Sequence, residues 1–318
     1  MAPRKPKVVV TRKLPDAIET RMRELFDTEL NLDDTPMDAS ALVAAMTRAD
    51  VLASTITDRL DASVIERAGD RLKLIANFGV GVDHIDVEAA TARGITVTNT
   101  PGVLTDDTAD LTMGLILELT RNIGRESARM HAGEPLQKFV GIEIEGRTLG
   151  VLGLGKLGAK VSGLAKAFGM NVIAWSPNLT AERCKEVGVS YASKEELFAT
   201  ADIITVHVVL SQRSRGLVGR EDLARMKPTS YLVNTARGPI VDEEALLETL
   251  QNKKIAGAAV DVFSIEPLPV SHPFRKLDNL VLTPHLGYVT EEGFRNHYAQ
   301  MVEGIDAWFK GAPVRRLA

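Results

Sequence analysis

The sequence predicts an α/β fold made of two doubly wound domains, each built on a parallel sheet. Two observations predict it: short apolar runs alternate with amphipathic helical stretches along the whole chain, and there are enough apolar runs for two sheets. Strands separated by helical segments imply βαβ crossovers, which place parallel strands side by side and cover both faces of the sheet. The 318 residues, 45% hydrophobic and 25% charged, suit one large or two medium globular domains.

The first half begins with an alternation of strands and helices. Its expected strands are KVVVT at 7–11, ADVLAS at 49–54, LKLIA at 72–76 and ITVTN at 95–99, with helical patterns such as DAIETRMRELF and DASVIERAG between them. A long helical pattern follows over residues 105–133, opening with threonine and acidic residues and ending at a glycine. We expect one long helix there, between the domains. The strands of the second half are RTLGVLGLG, MNVIAW, ADIITVHVV, SYLVNT, IAGAAVDVF and NLVLTP.

Charge and composition exclude several classes of protein. A formal net charge of -4 gives no long-range attraction for nucleic acid, and the only basic cluster, MAPRKPK, is expected to be a solvated start. No stretch approaches the roughly 20 apolar residues of a membrane span. Only the short apolar run VVV follows the basic start, so we expect no secretory signal. Cys184, the only cysteine, excludes an internal disulfide or a multi-cysteine metal site and is expected to be a packed or partly exposed helix residue rather than a nucleophile. We therefore expect a cytoplasmic protein without a metal.

A glycine-rich turn predicts dinucleotide binding. Gly153, Gly155 and Gly158 form the G-x-G-x-x-G arrangement, with Lys156 and Leu157 inside it. Such a pattern is weak alone, but here it follows an apolar strand and opens an amphipathic helix. The first glycine permits a tight turn, the second lets the backbone approach a pyrophosphate, and the third allows close packing of helix and strand. Amide groups at the helix start would then face the phosphates.

The residues after the next strand leave the coenzyme open. An NAD-binding fold often places an acidic residue here for the ribose hydroxyls. This chain has Ser176, Pro177 and Asn178 instead, so no carboxylate would repel a 2′-phosphate, and no arginine follows until Arg183. NAD and NADP both remain possible, and we take NAD as the working expectation.

Three polar residues follow strands of the second half. Arg237, Glu266 and His285 should converge, because ligands of an open α/β sheet bind beyond the carboxyl ends of its strands. A guanidinium can bind a carboxylate through two parallel hydrogen bonds. A carboxylate beside an imidazole stabilises the protonated ring and fixes its orientation, which makes it a proton donor. Taken singly, each residue could be a solvated charge, a turn residue or a strand-end histidine; together they predict a catalytic site.

These segments resemble the D-isomer-specific 2-hydroxyacid dehydrogenase family over essentially the whole chain. The similar segments are LGVLGLGKLG, VNTARGPIVDEEAL, DVFSIEPLP and LTPHLG, with NFGVGVDHID and TNTPGVLTDDTADL in the first half. The last of these is especially similar to the glyoxylate and hydroxypyruvate reductase branch. The resemblance implies reversible reduction of a small 2-keto acid to the D-2-hydroxy acid with NAD(P).

The resemblance also implies roles for individual residues. Arg237 and the backbone amides of Val80 and Gly81 would bind the substrate carboxylate, and His285 paired with Glu266 would protonate the carbonyl oxygen. Besides the glycine turn and the Ser176–Asn178 stretch, the implied cofactor contacts are Thr108, His207, Val208, Ser214, Thr235, Ala236, Asp261, His285 and Gly287.

The architecture implied by the resemblance is a Rossmann cofactor domain, residues 101–286, inserted in a flavodoxin-like substrate domain, residues 1–100 and 287–318. A homodimer formed through the cofactor domain and the long helix over residues 105–133 is expected, with the active site between the domains and no regulatory domain after residue 318.

Two departures and two alternatives accompany the resemblance. Val209 stands where the family commonly has proline, and the segment after residue 131 lacks a tryptophan often found there.

A nucleotide-sensing protein similar to the C-terminal binding protein corepressors is one alternative, although all three catalytic residue types are present. A phosphite dehydrogenase is the other, because that branch keeps the glutamate. The glutamine that formate dehydrogenases have in place of Glu266 argues against that activity.

Overall fold

The structure, a computed structural model, describes residues 5–317, so the first four residues of the basic start lie outside the described part. Two compact units make up the chain: Met1–Leu104 with Thr290–Ala318, and Thr105–Val289. The second unit is therefore inserted in the sequence of the first. Within the described residues, no helix combines the length and the apolar character needed to cross a bilayer.

Twelve strands form two sheets within residues 5–317. The strands are β1 Lys7–Val10, β2 Asp27–Glu29, β3 Val51–Ser54, β4 Leu74–Asn77, β5 Thr96–Thr98, β6 Thr148–Leu152, β7 Asn171–Trp175, β8 Ser190–Tyr191, β9 Ile203–Val206, β10 Tyr231–Asn234, β11 Gly257–Val260 and β12 Leu280–Leu282.

In the same described part of the chain, twelve α-helices connect the strands or follow them. The helices are α1 Asp16–Leu25, α2 Ala39–Arg48, α3 Ala62–Ile65, α4 Val87–Ala92, α5 Thr105–Arg121, α6 Ile123–His131, α7 Lys156–Ala167, α8 Ala181–Val187, α9 Lys194–Thr200, α10 Arg220–Arg225, α11 Glu243–Gln251 and α12 Glu291–Phe309. Two short 3-10 helices, Gly238–Ile240 and Pro273–Lys276, lie in the second unit.

Both sheets are parallel throughout and doubly wound, which confirms the predicted fold class. The first unit has the strand order β2-β1-β3-β4-β5, the order of flavodoxin-like folds. The second has β12-β11-β10-β9-β6-β7-β8, in which β8-β7-β6-β9-β10-β11 reproduces the order 3-2-1-4-5-6 of the Rossmann fold. In each sheet, the strand order reverses beside the first strand of that unit, β1 or β6, and ligands of such sheets bind there.

The central strands are buried on both faces, as their uninterrupted apolar sequences indicate. All four residues of β3, β4, β9 and β11 are buried. Helices covering both faces of a parallel sheet produce this pattern. The strands that sequence did not predict, β2 and β8, are short, polar and at sheet edges, so they carry no such apolar run.

The long helix expected over residues 105–133 is two helices. It is interrupted at Asn122, which has a φ of 54° in the left-handed region, and α5 ends just before it. Asparagine tolerates this conformation better than most residues, so the chain can turn there without a glycine. The prediction of one uninterrupted helix was therefore wrong. Cys184 lies on α8 and is buried, as expected.

Candidate active site

The glycine turn between β6 and α7 has the shape that a pyrophosphate requires. Gly153 has a φ of 107°, and a Cβ there would lie 2.7 Å from the carbonyl carbon of His207. A Cβ on Gly158 would lie 2.0 Å from the Gly153 carbonyl oxygen, whereas one on Gly155 would meet nothing within 4 Å. The first and third glycines thus close the turn by backbone contact, and the second faces open space. A dinucleotide phosphate fits a turn of this kind at the start of a helix.

Two neighbouring strands bring further predicted cofactor residues to the turn. The Gly153 N–H donates to the Trp175 carbonyl at 2.8 Å, which places Ser176 beside the turn. The His207 N–H donates to the Leu152 carbonyl at 2.8 Å, so His207 and Val208 lie on the other side of the glycine turn. Lys156, Pro177 and Asn178 are exposed, whereas Leu157, Ser176, His207 and Val208 are half-buried.

His207 and Ser214 also hold the loops near the turn. Desolvation lowers the pKa of His207 to about 3, so its ring is neutral. Its Nε2 lies 2.9 Å from Thr205 Oγ1. The buried Ser214 hydroxyl donates to the Val209 carbonyl at 2.7 Å, which closes the loop after β9. Val209 itself is 84% exposed, so the valine at this position packs against little.

Glu266 and His285 form a directly bonded pair. His285 Nδ1 lies 2.7 Å from Glu266 Oε2, although 19 positions separate the residues in the sequence. The other carboxylate oxygen, Oε1, accepts from the Phe263 N–H at 2.8 Å, so the glutamate is held from both sides. His285 follows β12 with a φ of 57°, which is an uncommon conformation for a residue other than glycine. Backbone geometry of this kind occurs mainly where the surroundings impose it.

Asp261 holds the backbone on both sides of His285. Its buried carboxylate accepts from the Leu286 and Gly287 amides, at 2.7 and 2.9 Å, and from the Thr283 hydroxyl at 2.6 Å. The pKa of Asp261 is raised, because the effect of burial is larger than the opposing effect of these three hydrogen bonds. The segment that carries His285 is thus wrapped around one carboxylate.

Thr108 meets the same segment from α5. Its hydroxyl donates to the Gly287 carbonyl at 2.7 Å. A Cβ on Gly287 would lie 3.2 Å from Thr108 Oγ1, closer than ordinary contact. The structure therefore brings together Thr108, Asp261, His285 and Gly287, all of which the sequence had suggested.

Arg237 follows β10, and the next residue, Gly238, brings its loop against the loop that contains Glu266. A Cβ on Gly238 would lie 2.1 Å from the Phe263 carbonyl carbon, so only glycine lets the two loops touch. Phe263 is the residue whose N–H binds Glu266. Asn234 Nδ2 donates to the Arg237 carbonyl at 3.0 Å. The arginine and glutamate segments are therefore in backbone contact.

Thr235 and Ala236 lie between β10 and Arg237. Thr235 is buried, with its hydroxyl 3.0 Å from that of Thr112, and Ala236 is half-buried. Both belong to the loop that positions Arg237.

Sequence reasoning missed Glu243, whose side chain holds the loop that contains Glu266. Glu243, the first residue of α11, accepts from the Ser264 N–H through Oε2 and contacts His272 Nε2 through Oε1, both at 3.2 Å. These contacts bind both ends of the loop that contains Glu266. The acidic start of the helix is visible in VDEEAL, but acidic residues are favourable at any helix start because of the helix dipole, so it does not single out Glu243.

The first unit carries Val80 and Gly81, whereas all other predicted site residues lie in the second. The backbone carbonyls of residues 79–81 accept hydrogen bonds from asparagine side chains of the same unit. Asn77 Nδ2 donates to Gly79 and Gly81 at 3.3 and 3.2 Å, and Asn99 Nδ2 donates to Val80 at 2.8 Å.

The Val80 and Gly81 N–H groups donate to no atom of the described residues. Two consecutive unused amides are suited to bind an anion. Sequence reasoning missed Asn77 and Asn99, although both stand at strand ends.

Comparison with known proteins agrees with the geometry. The family described as "D-isomer specific 2-hydroxyacid dehydrogenase, NAD binding domain" matches residues 113–287. The glyoxylate reductase of Korarchaeum cryptofilum is 40% identical over 96% of this chain and 94% of its own length. The D-3-phosphoglycerate dehydrogenase of Methanocaldococcus jannaschii is 43% identical over 96% of this chain but 58% of its own length.

A solved structure extends the similarity to three dimensions. The TT0316 protein of Thermus thermophilus is 38% identical, with a TM-score of 0.88 over 98% of this chain and 100% of that one. Sequence and fold thus agree over nearly the whole length. The chain belongs to the D-isomer specific 2-hydroxyacid dehydrogenase family and is an oxidoreductase dependent on a nicotinamide cofactor.

Proposed function

We propose that this chain reduces a small 2-keto acid, glyoxylate or hydroxypyruvate, to the D-2-hydroxy acid, and catalyses the reverse oxidation. The bond of 2.7 Å between His285 Nδ1 and Glu266 Oε2 carries the proposal. Reduction of a keto acid requires an anchor for the carboxylate, a hydride for the carbonyl carbon and a proton for the carbonyl oxygen. The chain's own residues offer the anchor and the proton, and the hydride has to come from a bound cofactor.

His285 supplies the proton. Because Nδ1 is bonded to Glu266, Nε2 is the nitrogen left to face a substrate. Protonated His285 donates from Nε2 to the carbonyl oxygen as that oxygen gains negative charge, and in the oxidation the neutral ring takes the proton back. Glu266 stabilises the charged ring and prevents its rotation.

Arg237 and the amides of Val80 and Gly81 bind the carboxylate. A guanidinium offers two parallel hydrogen bonds to a carboxylate, and the amides offer neutral donors. This anchor would set the orientation of the carbonyl relative to His285. Orientation of reacting groups is a large part of enzymatic rate enhancement.

The glycine turn would hold the cofactor pyrophosphate, and a bound reduced nicotinamide supplies hydride to the carbonyl carbon. Ser176, Pro177 and Asn178 would meet the ribose of the adenosine end, with Ser214 near the adenine. Thr108, Asp261 and Gly287 lie around the segment of His285 and would border the nicotinamide. NAD is the proposed coenzyme, with NADP as the alternative.

Glyoxylate is the first substrate to test because the similar protein of Korarchaeum cryptofilum is named for it. A second candidate is D-3-phosphoglycerate, since a relative named for its oxidation is 43% identical. We also propose a homodimer that works in the cytoplasm on a small-molecule substrate, without nucleic acid or membrane partners. The net charge of -4 accords with small-molecule chemistry rather than with nucleic acid binding.

The test follows the absorbance of the reduced nicotinamide. Purified protein is mixed with NADH or NADPH and with glyoxylate, hydroxypyruvate, pyruvate or a bulkier keto acid; oxidation of D-3-phosphoglycerate is tested with NAD and NADP. Turnover fastest with glyoxylate or hydroxypyruvate supports the proposal. Absence of turnover with every keto acid, while cofactor still binds, would reject it in favour of a nucleotide sensor or phosphite oxidation.

A variant then tests the role of His285. His285→Gln should lower kcat by at least about 100-fold, the usual contribution of general acid catalysis, and leave cofactor affinity unchanged. Glu266→Gln, which keeps the side-chain shape and removes the charge, should reduce kcat less. Near-normal kcat in His285→Gln would contradict the assignment.

A further inference from the structure

A buried histidine on the last helix is connected to the loop that carries the Val80 and Gly81 amides. His297 lies on α12 and is 0% exposed. Its Nδ1 lies 2.6 Å from Thr100 Oγ1, and the same Oγ1 accepts from the Gly79 N–H at 2.8 Å. A continuous chain of hydrogen bonds therefore runs from the helix to the residue before Val80.

The direction of these hydrogen bonds can be assigned. The Thr100 hydroxyl has one proton, and its oxygen already accepts from Gly79. We assign that proton to the bond with His297 Nδ1, which makes the ring the acceptor and places the ring proton on Nε2. Burial lowers the pKa of His297 to about 4, in agreement with a neutral ring.

The histidine carries a cost that an apolar residue would avoid. Its Nε2 is buried and has no hydrogen-bond partner among the described residues. A buried polar atom left without a partner lowers stability. Local rules of folding are broken mostly where function requires it. The acceptor at Nδ1 is what the histidine provides here and a leucine or phenylalanine would not.

The loop also carries a second anchor on the same helix. Phe78 packs with its ring centroid 4.6 Å from that of His297 and 4.5 Å from that of Tyr298. Gly79 is next in sequence, and its φ of 126° is a conformation that favours glycine. Aromatic packing holds the side chain of Phe78, whereas the hydrogen bonds hold the backbone of Gly79.

We propose that His297 and Thr100 are a positioning pair, which fixes the Gly79 amide and thereby aims the N–H groups of Val80 and Gly81 at the substrate carboxylate. This inference rests on the proposed function of those two amides. Neither His297 nor Thr100 needs to touch the substrate. Loss of the pair should weaken binding of the carboxylate without changing binding of the cofactor.

The experiment compares matched variants of the whole protein. His297→Phe and Thr100→Val remove the hydrogen bonds and keep similar shapes. His297→Asn keeps an acceptor near the position of Nδ1, and Thr100→Ser keeps the hydroxyl. Met301→Ala, at another buried position of α12, is the control for destabilisation alone.

Three quantities are measured: hydrogen exchange of the Gly79 amide by NMR, the Kd of oxamate in the presence of NADH, and steady-state kinetics. Oxamate resembles a 2-keto acid but does not accept hydride. In His297→Phe and Thr100→Val, we expect faster Gly79 exchange and an increase of about tenfold in the oxamate Kd and the keto-acid KM, equivalent to one lost hydrogen bond. The NADH affinity and kcat should change little.

The conservative variants and the double variant sharpen the result. His297→Asn and Thr100→Ser should restore the parent KM, and His297→Phe combined with Thr100→Val should be no worse than either alone. Parent-like oxamate affinity in both disruptive variants would overturn the inference. So would an equal loss in Met301→Ala, which would show a general effect of instability. If His297→Phe does not fold, Thr100→Val alone decides.

Failure of the proposed function gives a different result. In the parent protein, oxamate should shift the NMR signals of the Val80 and Gly81 amides. If oxamate binds without moving them, those amides do not bind the carboxylate, and the proposed function of the loop is rejected together with the positioning pair. If they move but the disruptive variants bind oxamate normally, only the pair is rejected.

Discussion

At the scale of single residues, the end of β7 is where the choice of coenzyme can be tested. Ser176 is half-buried beside the glycine turn, and no acidic or basic side chain stands at positions 176–178. Arg183, the first arginine after them, has its guanidinium 3.0 Å from Glu186 Oε2 on its own helix. A 2′-phosphate would thus meet no opposing carboxylate at the strand end.

A carboxylate placed there should change the preference. Ser176→Asp is expected to lower the ratio of kcat/KM for NADPH to that for NADH by at least about tenfold, because like charges repel in a partly desolvated site. Ser176→Asn, neutral and similar in size, is the matched control and should leave the ratio close to that of the parent. An unchanged ratio in Ser176→Asp would mean that the ribose binds elsewhere.

The sequence predicted the site residues that the local backbone requires, but it did not predict the contacts between residues far apart in the chain. Gly153 and Gly158 are glycines because a Cβ would collide with backbone, and their spacing within the chain is a local property. Arg237, Glu266 and His285 could be proposed because each follows a strand. The contacts made by Asp261, by contrast, depend on how residues 283–287 fold around it, and no local pattern records that.

At the scale of elements, the first turn of α11 holds the glutamate loop. Glu243 binds the loop at Ser264 and at His272, so one side chain restrains the segment that orients Glu266. We expect Glu243→Ala to lower kcat by about tenfold with little change in the keto-acid KM, because the proton donor is misaligned while the carboxylate anchor is intact.

Glu248 on the same helix provides the control for Glu243. Its carboxylate pairs with Arg220 and with Lys254, and its side chain is 41% exposed. Glu248→Ala should therefore leave kcat unchanged. Equal effects of Glu243→Ala and Glu248→Ala would indicate that α11 has a general role in stability and no specific role in positioning.

The pattern of apolar runs was sufficient to predict the buried strands, but it predicted neither the edge strands nor the break between α5 and α6. The central strands are apolar because both faces are covered, so their existence follows from composition. In contrast, β8 has two exposed residues and depends on pairing with β7 alone. The break at Asn122 required a left-handed residue in an otherwise helical pattern, and a single asparagine gives too little indication of that.

At the scale of the whole molecule, the exposed apolar side chains of residues 123–140 bear on the proposed self-association. None of the residues of α6 is buried, and large apolar side chains are exposed on it and on the segment after it. They are Ile123 at 56%, Met130 at 63%, Leu136 at 71% and Val140 at 96% exposure. Exposed apolar groups on one stretch of the sequence support the homodimer proposed above.

Sedimentation should therefore give a dimer. Met130→Glu combined with Leu136→Glu is expected to shift the protein towards the monomer, because the dimer would have to bury two charges. Leu32→Glu, at an exposed leucine of the first unit, should leave the dimer intact. A monomer at all concentrations of the parent protein would contradict the proposed homodimer.

The stability of the molecule should depend on the protonation of two histidines, one in each unit. Burial lowers the pKa of His207 to about 3 and that of His297 to about 4. Between about pH 6.5 and pH 4, the unfolded chain takes up a proton at each and the folded chain does not. The free energy of unfolding should therefore fall as pH falls through this window, by up to about 1.4 kcal/mol per pH unit for each histidine.

Buried acids act in the opposite direction, so a variant is needed to isolate the effect. Burial raises the pKa of Asp58 and Asp261, so each adds stability as pH falls through its folded-state pKa towards the lower pKa of an aspartate in the unfolded chain. His297→Asn removes one histidine and leaves both acids. Chemical denaturation at pH 5, 6 and 7 should show a smaller decrease of stability on acidification in His297→Asn than in the parent. Met301→Ala should lower stability at every pH without changing that dependence, and the same slope in parent and His297→Asn would show that His297 is protonated equally in the folded and unfolded chain.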